Sequence, residues 1–297
     1  MGQFLYSFKG SKSRTNLVTF ATPDFLPAAS LLCKRAQSLG FKTAQHFNKG
    51  DLDVGFLQQN ASIFSKPRGA GYWLWKPWLV LNKTKKLGEN DFLLYLDAGA
   101  LPRVKHNYFD EIANDGKIHV WLTNGGIIQT NRMFTDKYVW EKVVGCELGL
   151  EKNQVWAGAI LCSNNVSNIT ILNEWLKLCS NPDLLCPDDR PDYAYSQGQI
   201  GHRHDQSLLN CLIQKSPDSF KVHCDPSVFV IHRQSWIRNS FDLNFFLLSR
   251  YLYRKLLNWL PDEIRAQILV LITKHKKPWI SNSELMNHLK YWKDRSK

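Results

Sequence analysis

The sequence predicts an α/β fold built on an open, mostly parallel sheet flanked by helices. Two observations carry that expectation. Near the start, a β-rich run (NLVTFAT, residues 16–22) is followed by helically spaced apolar residues and then a second β-rich run, a strand, loop, helix, strand order. Further on, DFLLYL (residues 91–96) is almost wholly apolar, as in a central strand covered on both faces.

The first strand ends at Pro23, and Leu26, Ala29, Leu32, Cys33 and Ala36 then mark one face of a helix that stops before Gly40. Residues 41–47 offer the second strand, and the Gly/Asp segment 50–55 breaks the pattern before a polar helical stretch. After DFLLYL, strands are expected at 118–122 and 157–162, a helix at about 169–178, and a loop over the Pro/Asp/Gly-rich segment 181–201. A helix opening near His204 buries Leu208, Leu209, Leu212 and Ile213, and a last strand, 228–231, delivers His232 at its end.

The formal charge of +12 makes the surface attractive to anions, with phosphates of nucleotides, nucleic acids or lipid headgroups all eligible. Much of the excess lies late: residues 250–297 hold eleven Lys or Arg against four Asp or Glu. There, apolar and aromatic runs too short to span a bilayer alternate with basic residues, which suits either a helix in a membrane interface or one packed on the core. Two parts are therefore expected, a main α/β domain over 1–240 and a helical, basic tail over 241–297. Seven irregularly spaced cysteines fit reduced thiols better than a disulfide framework. The first residues carry no apolar core of signal-peptide length, and Tyr6 breaks the myristoylation pattern, so the expected location is cytoplasmic, with peripheral contact at the inner face of the membrane.

Ligands of open α/β sheets bind beyond the carboxyl ends of the strands, which marks Asp97, at the end of DFLLYL, as a site candidate; the alternative is that it caps a turn. Four segments in order then carry a resemblance: NLVTFAT, KPRGAGYWLWKPWLVLN leading into DFLLYLDAG, VWAGAILCSN, and HRHDQSLLNCL. Over residues 14–236 the chain resembles nucleotide-sugar glycosyltransferases of the GT-A fold. More closely, it resembles uncharacterised bacterial capsule and O-antigen transferases with YWLWKP, YLDAG and HRHDQS segments, and it is distantly similar to the retaining family of glycogenin and lipo-oligosaccharide galactosyltransferases.

The resemblance implies transfer of a sugar from a nucleotide diphosphate donor to a saccharide or lipid-linked saccharide acceptor in surface polysaccharide synthesis. It places Asp205 and Gln206 against the transferred sugar as catalytic residues, the alternative for Asp205 being a helix cap. Donor contacts are expected from Thr19, Ala21, Arg68, Tyr72, Trp75, Lys76, Asp97, Ala157, Gly158 and His204, with the small residues at 157 and 158 leaving room for a hexose. Among Tyr72, Trp73, Trp75 and Trp78, one is expected to touch ligand and the others to pack.

In the resembled fold an Asp-x-Asp motif holds a divalent cation against the diphosphate, whereas this chain has Asp97-Ala98-Gly99. Mg²⁺ or Mn²⁺ draws oxygen ligands from phosphate and water as well as protein, so Asp97 with His232 is the expected metal pair, and an imidazole ligand favours Mn²⁺. Three rival readings are weaker. Cys179, Cys186, His202, His204 and Cys211 lack zinc-site spacing; no nucleic-acid-binding motif accompanies the charge; and a sugar nucleotidyltransferase would carry a glycine-rich loop after the first strand.

Overall fold

The computed structural model describes residues 6–7, 13–122, 128–190 and 193–231. The described residues belong to one compact unit, residues 1–234. His232, the expected boundary near 240 and the basic tail lie outside the described residues.

Strands β1 (Tyr6–Ser7), β2 (Thr15–Phe20), β3 (Thr43–Phe47) and β4 (Phe92–Leu96) lead the chain, followed by β5 (Ala100–Pro102), β6 (Ile118–Leu122), β7 (Val155–Ser163), β8 (Phe220–His223) and β9 (Phe229–Ile231). Seven of them form one sheet in the order β1-β3-β2-β4-β7-β6-β8. β2 runs parallel to β3 and β4, and β6 parallel to β8, while β7 is antiparallel to both of its neighbours, β4 and β6. Strands β2, β3, β4, β6 and β8 therefore share one direction, and the sheet is mostly parallel, as expected from sequence. The last predicted strand belongs elsewhere: β9 pairs antiparallel with β5 in a separate two-stranded sheet.

Four long helices are α1 (Leu26–Ser38), α2 (Trp75–Thr84), α3 (Val166–Cys179) and α4 (His204–Lys215). Successive strand residues point to opposite faces, so Val18, Phe20, Leu93 and Tyr95 join a core with Trp75 and Leu79 of α2, Trp175 of α3 and Leu208 of α4. Leu17 and Leu94, of the opposite parity, are equally buried, and α1 packs against β2 and β3. All five residues of β4 are buried, which is why its sequence shows no polar alternation. All seven cysteines are free thiols, and burial pushes those at positions 33 and 162 up to about 12. No helix among the described residues is long and apolar enough to cross a membrane.

Candidate functional site

Polar groups gather at the carboxyl end of β4. Tyr95 and Asp97 are two residues apart, so the strand period puts them on one side, and the Tyr95 hydroxyl donates to Asp97 Oδ1 at 2.6 Å. The Asp97 N–H donates to the Gly158 carbonyl at 2.8 Å, and the Asp97 carbonyl accepts from the Ala100 N–H at 2.9 Å. Main-chain groups thus close this turn, and the carboxylate is left for other work.

Lys76 arrives from the first turn of α2. Its side chain is only 4% exposed, and its ammonium lies 2.9 Å from Asp205 Oδ2 and 3.5 Å from Asp97 Oδ1. Burial favours the neutral amine, but the carboxylates of Asp205 and Asp97 outweigh it and carry the ammonium above the ordinary lysine value. Burial pushes the Asp205 carboxyl up to about 6, against the opposing pull of Lys76. Burial, reinforced by Asp97, raises the Tyr95 hydroxyl well above its ordinary value, so it stays a donor. Asp97 is the open member of the group, with 33% of its side chain exposed.

Arg203, not Asp205, is the N-cap of α4, and it makes no side-chain cap bond. Asp205 is therefore free of the capping role and turns into the cluster, while its carbonyl accepts from Trp175 Nε1 at 2.9 Å. Gln206 accepts from the Ala157 N–H at 3.4 Å and donates to Gln154 Oε1 at 2.9 Å. One turn on, Asn210 accepts from the Val155 N–H at 2.8 Å and donates to the Val155 carbonyl at 3.2 Å. These bonds fasten α4 to β7 beside a slip in the β6–β7 register. Gly158 lies within that slip: a Cβ there would stand 2.1 Å from the Trp156 indole.

Five consecutive residues, Gly69 to Trp73, have positive φ (58°, 54°, 95°, 50° and 61°), forming a left-handed turn. Tyr72 N–H donates to the Arg68 carbonyl at 2.7 Å and Trp73 N–H to the Gly69 carbonyl at 3.2 Å. Three of the five carry a Cβ, in a conformation that costs roughly 1–2 kcal/mol per L-residue. Side chains hold it in place. Trp75 Nε1 donates to the Gly69 carbonyl at 2.9 Å while its ring stacks on Phe20 at 3.9 Å, and the Tyr72 hydroxyl donates to Asp189 Oδ1 at 2.7 Å. The rings of Tyr72 and Trp73 lie 4.5 and 5.7 Å from that of His204.

His204 is buried with φ of 47°, its Nδ1 2.9 Å from the Leu185 carbonyl; burial, with Arg68 adding to it, lowers the ring to about 3 and keeps it neutral. Arg68 pairs with Asp188 at 3.5 Å, and Lys66 with Asp189 at 2.7 Å.

The structure thus brings together Lys76, Asp97, Ala157, Gly158, Asp205 and Gln206, with Arg68, Tyr72 and His204 in a neighbouring group. Trp75 is committed to packing. Thr19 is fully buried with no hydrogen-bond partner for Oγ1 among the described residues, and strand alternation sends it to the face opposite Val18 and Phe20. Ala21 is buried, its N–H donating to the Phe47 carbonyl at 2.8 Å. Tyr95, Gln154 and Asn210 were not singled out from sequence. The two-residue spacing of Tyr95 and Asp97 could have identified the first, whereas the other two depend on how α4 meets β7.

No group of three His, Cys, Asp or Glu side chains able to hold a metal occurs among the described residues, which include Cys179, Cys186, His202, His204 and Cys211. Asp97 turns Oδ1 to Tyr95 and Lys76 and leaves Oδ2 without a partner among the described residues. That oxygen suits one position around Mg²⁺ or Mn²⁺, ions that take further oxygens from phosphate and water.

No protein-family model matches the chain, and no curated protein matches its sequence. Solved structures that align with it include a glycosyltransferase involved in glycosylation of the major capsid of PBCV-1, with 9% identity, TM-score 0.40, and coverage of 71% of this chain and 81% of that one. Mouse xyloside xylosyltransferase 1, in its apo form, aligns with 12% identity, TM-score 0.35, and coverage of 71% and 84%. The galactosyltransferase LgtC in complex with donor and acceptor sugar analogues aligns with 14% identity, TM-score 0.33, and coverage of 70% and 72%.

Proposed function

We propose that the chain is a glycosyltransferase that moves a sugar from a nucleotide diphosphate donor to a saccharide acceptor. One observation carries this reading: a buried ammonium, Lys76, lies between two carboxylates at the carboxyl end of a central strand, and one of them, Asp97, is open to solvent. Sugar transfer breaks the bond between the anomeric carbon and a phosphate oxygen, and its electron pair leaves on the diphosphate. An acceptor hydroxyl oxygen bonds the same carbon and gives up its proton to the departing diphosphate or to water.

Preplaced positive charge stabilises such a leaving group, and the Lys76 ammonium offsets the negative charge that Asp205 and Asp97 would otherwise present to the diphosphate. The same ammonium fixes the positions of Asp97 and Asp205. Asp205 would accept hydrogen bonds from sugar hydroxyls, and Gln206, oriented by Ala157 and Gln154, would lie beside the anomeric carbon. The small residues at 157 and 158 suit a hexose. A divalent cation, Mn²⁺ or Mg²⁺, held by Asp97 and by His232 from outside the described residues, would add Lewis-acid charge to the diphosphate.

The ordered YWLWKP, YLDAG and HRHDQS segments favour surface polysaccharide, capsule or O-antigen, as the product. The basic, apolar tail favours a lipid-linked acceptor met at the inner face of the membrane. Release of nucleoside diphosphate from a panel of UDP-, GDP- and dTDP-sugars tests the reading. At least one donor should turn over in the wild type and not in Asp97→Ala; turnover of none, or equal turnover by both proteins, would refute it.

A further inference from the structure

A cavity of about 630 Å³ lies between one face of α2 and the turn after β3, and none of Lys76, Asp97 and Asp205 lines it. Trp78, Asn82 and Lys83 of α2, with Lys86 just beyond it, form one wall, and Asp51 and Asp53 the opposite wall. Trp78, Asn82 and Lys83 recur at spacings that place them on one side of α2, and Lys86 follows in the turn beyond its end. The volume is in the range of small-ligand sites.

Lys83 is the feature that calls for a ligand. Its ammonium stands 3.9 Å from the centre of the Phe47 ring, and it makes no salt bridge among the described residues. Burial and the neighbouring Lys86 lower its pKa, with Asp51 opposing them only in part. Two ammonium groups side by side, one of them half-buried over an aromatic ring, favour an incoming negative charge.

The rest of the lining narrows the chemistry. Asp51 Oδ2 accepts from the Asn48 N–H at 2.9 Å and Asp53 Oδ1 from the Phe56 N–H at 2.8 Å, so the backbone fixes both carboxylates in the wall. Carboxylate and amide oxygens there accept from hydroxyl groups, and a partly buried Trp78 offers indole surface to the apolar side of a sugar ring. A polyanion would meet Asp51 and Asp53, and a neutral sugar would leave Lys83 only partly compensated, by Asp51. We propose that this cavity is a saccharide-binding site separate from the Lys76 cluster, and that it takes a sugar ring bearing a single anionic group, either a uronate or a sugar phosphate. The inference stands whether or not the chain transfers sugar.

Titration calorimetry of the full chain with galacturonate, glucose 6-phosphate, maltose and inorganic phosphate tests it, with the first two probes separating the sources of charge. One charged sugar should bind more tightly than maltose and phosphate, and Lys83→Met, which keeps the stem over Phe47, should weaken it at least about tenfold. Lys86→Ser should weaken the same probe less, while nucleotide-sugar binding stays as in the wild type in both variants. Absence of binding by either charged sugar would overturn the proposal. So would equal affinity in wild type and Lys83→Met, with thermal melts confirming that both are folded, or phosphate binding as tightly as the sugar phosphate.

Discussion

The Lys76 ammonium and the Asp205 carboxylate, from the first turns of two different helices, meet at 2.9 Å inside the protein. The pair fixes α2 and α4 at a common point and leaves Asp97, 3.5 Å from the same ammonium, as the member that faces solvent.

Removing one partner of a buried pair leaves the other charge uncompensated. Lys76→Met should destabilise the protein by about 3–5 kcal/mol near pH 8. The loss should shrink toward pH 5, because Asp205, without its counter-charge, takes up a proton instead. Adding Asp205→Leu to Lys76→Met should restore part of the stability, read by urea unfolding as a non-additive cycle.

The Asp205 carboxyl is raised from 3.8 to about 6, so the folded state holds its proton more tightly than the unfolded state does. This group therefore stabilises most below its unfolded value, and its contribution falls as pH rises through 6. The difference in unfolding free energy between wild type and Asp205→Asn should drift in that direction from pH 4 to pH 7. Transfer that uses the carboxylate as a hydrogen-bond acceptor should show the opposite limb, declining below pH 6.

Tyr95→Phe removes one donor from Asp97 and little packing. Stability should fall by about 1 kcal/mol. Donor affinity and turnover should both drop because Asp97 loses the bond that fixes its rotamer, and steady-state kinetics with one donor would measure the split. Full activity in this variant would show that the Tyr95 bond does not position Asp97 for transfer.

Gly158→Ala forces a methyl group into the Trp156 indole, whose nearest atom would be 2.1 Å away. Overpacking of this kind costs about 1–3 kcal/mol, and here it should also disturb the carbonyl that receives the Asp97 N–H. A thermal melt and a donor-release assay on the same preparation check both effects.

Much of the scaffold was legible because its signals are local. The strand 118–122 matches its expected bounds, and DFLLYL gave away β4 because burial on both faces leaves no polar alternation. The antiparallel course of β7 and the detachment of β9 were not legible, since strand direction and partner depend on long-range packing. Asp97, Lys76, Asp205 and Gln206 were found in motifs and do assemble, yet the Lys76–Asp205 contact was invisible to spacing. The left-handed turn at 69–73 escaped notice because Ala70, Tyr72 and Trp73 adopt positive φ only under tertiary restraint.

Equilibrium binding of nucleotide sugars, with and without Mn²⁺, to the wild type and to Asp97→Asn tests the central claim most directly. The account predicts saturable binding of at least one nucleotide sugar by the wild type, tightened by Mn²⁺, and weakened about 100-fold or more in Asp97→Asn, as expected for loss of a charge-carrying contact. Binding of equal strength by both proteins, or no binding by a folded wild type, would contradict it.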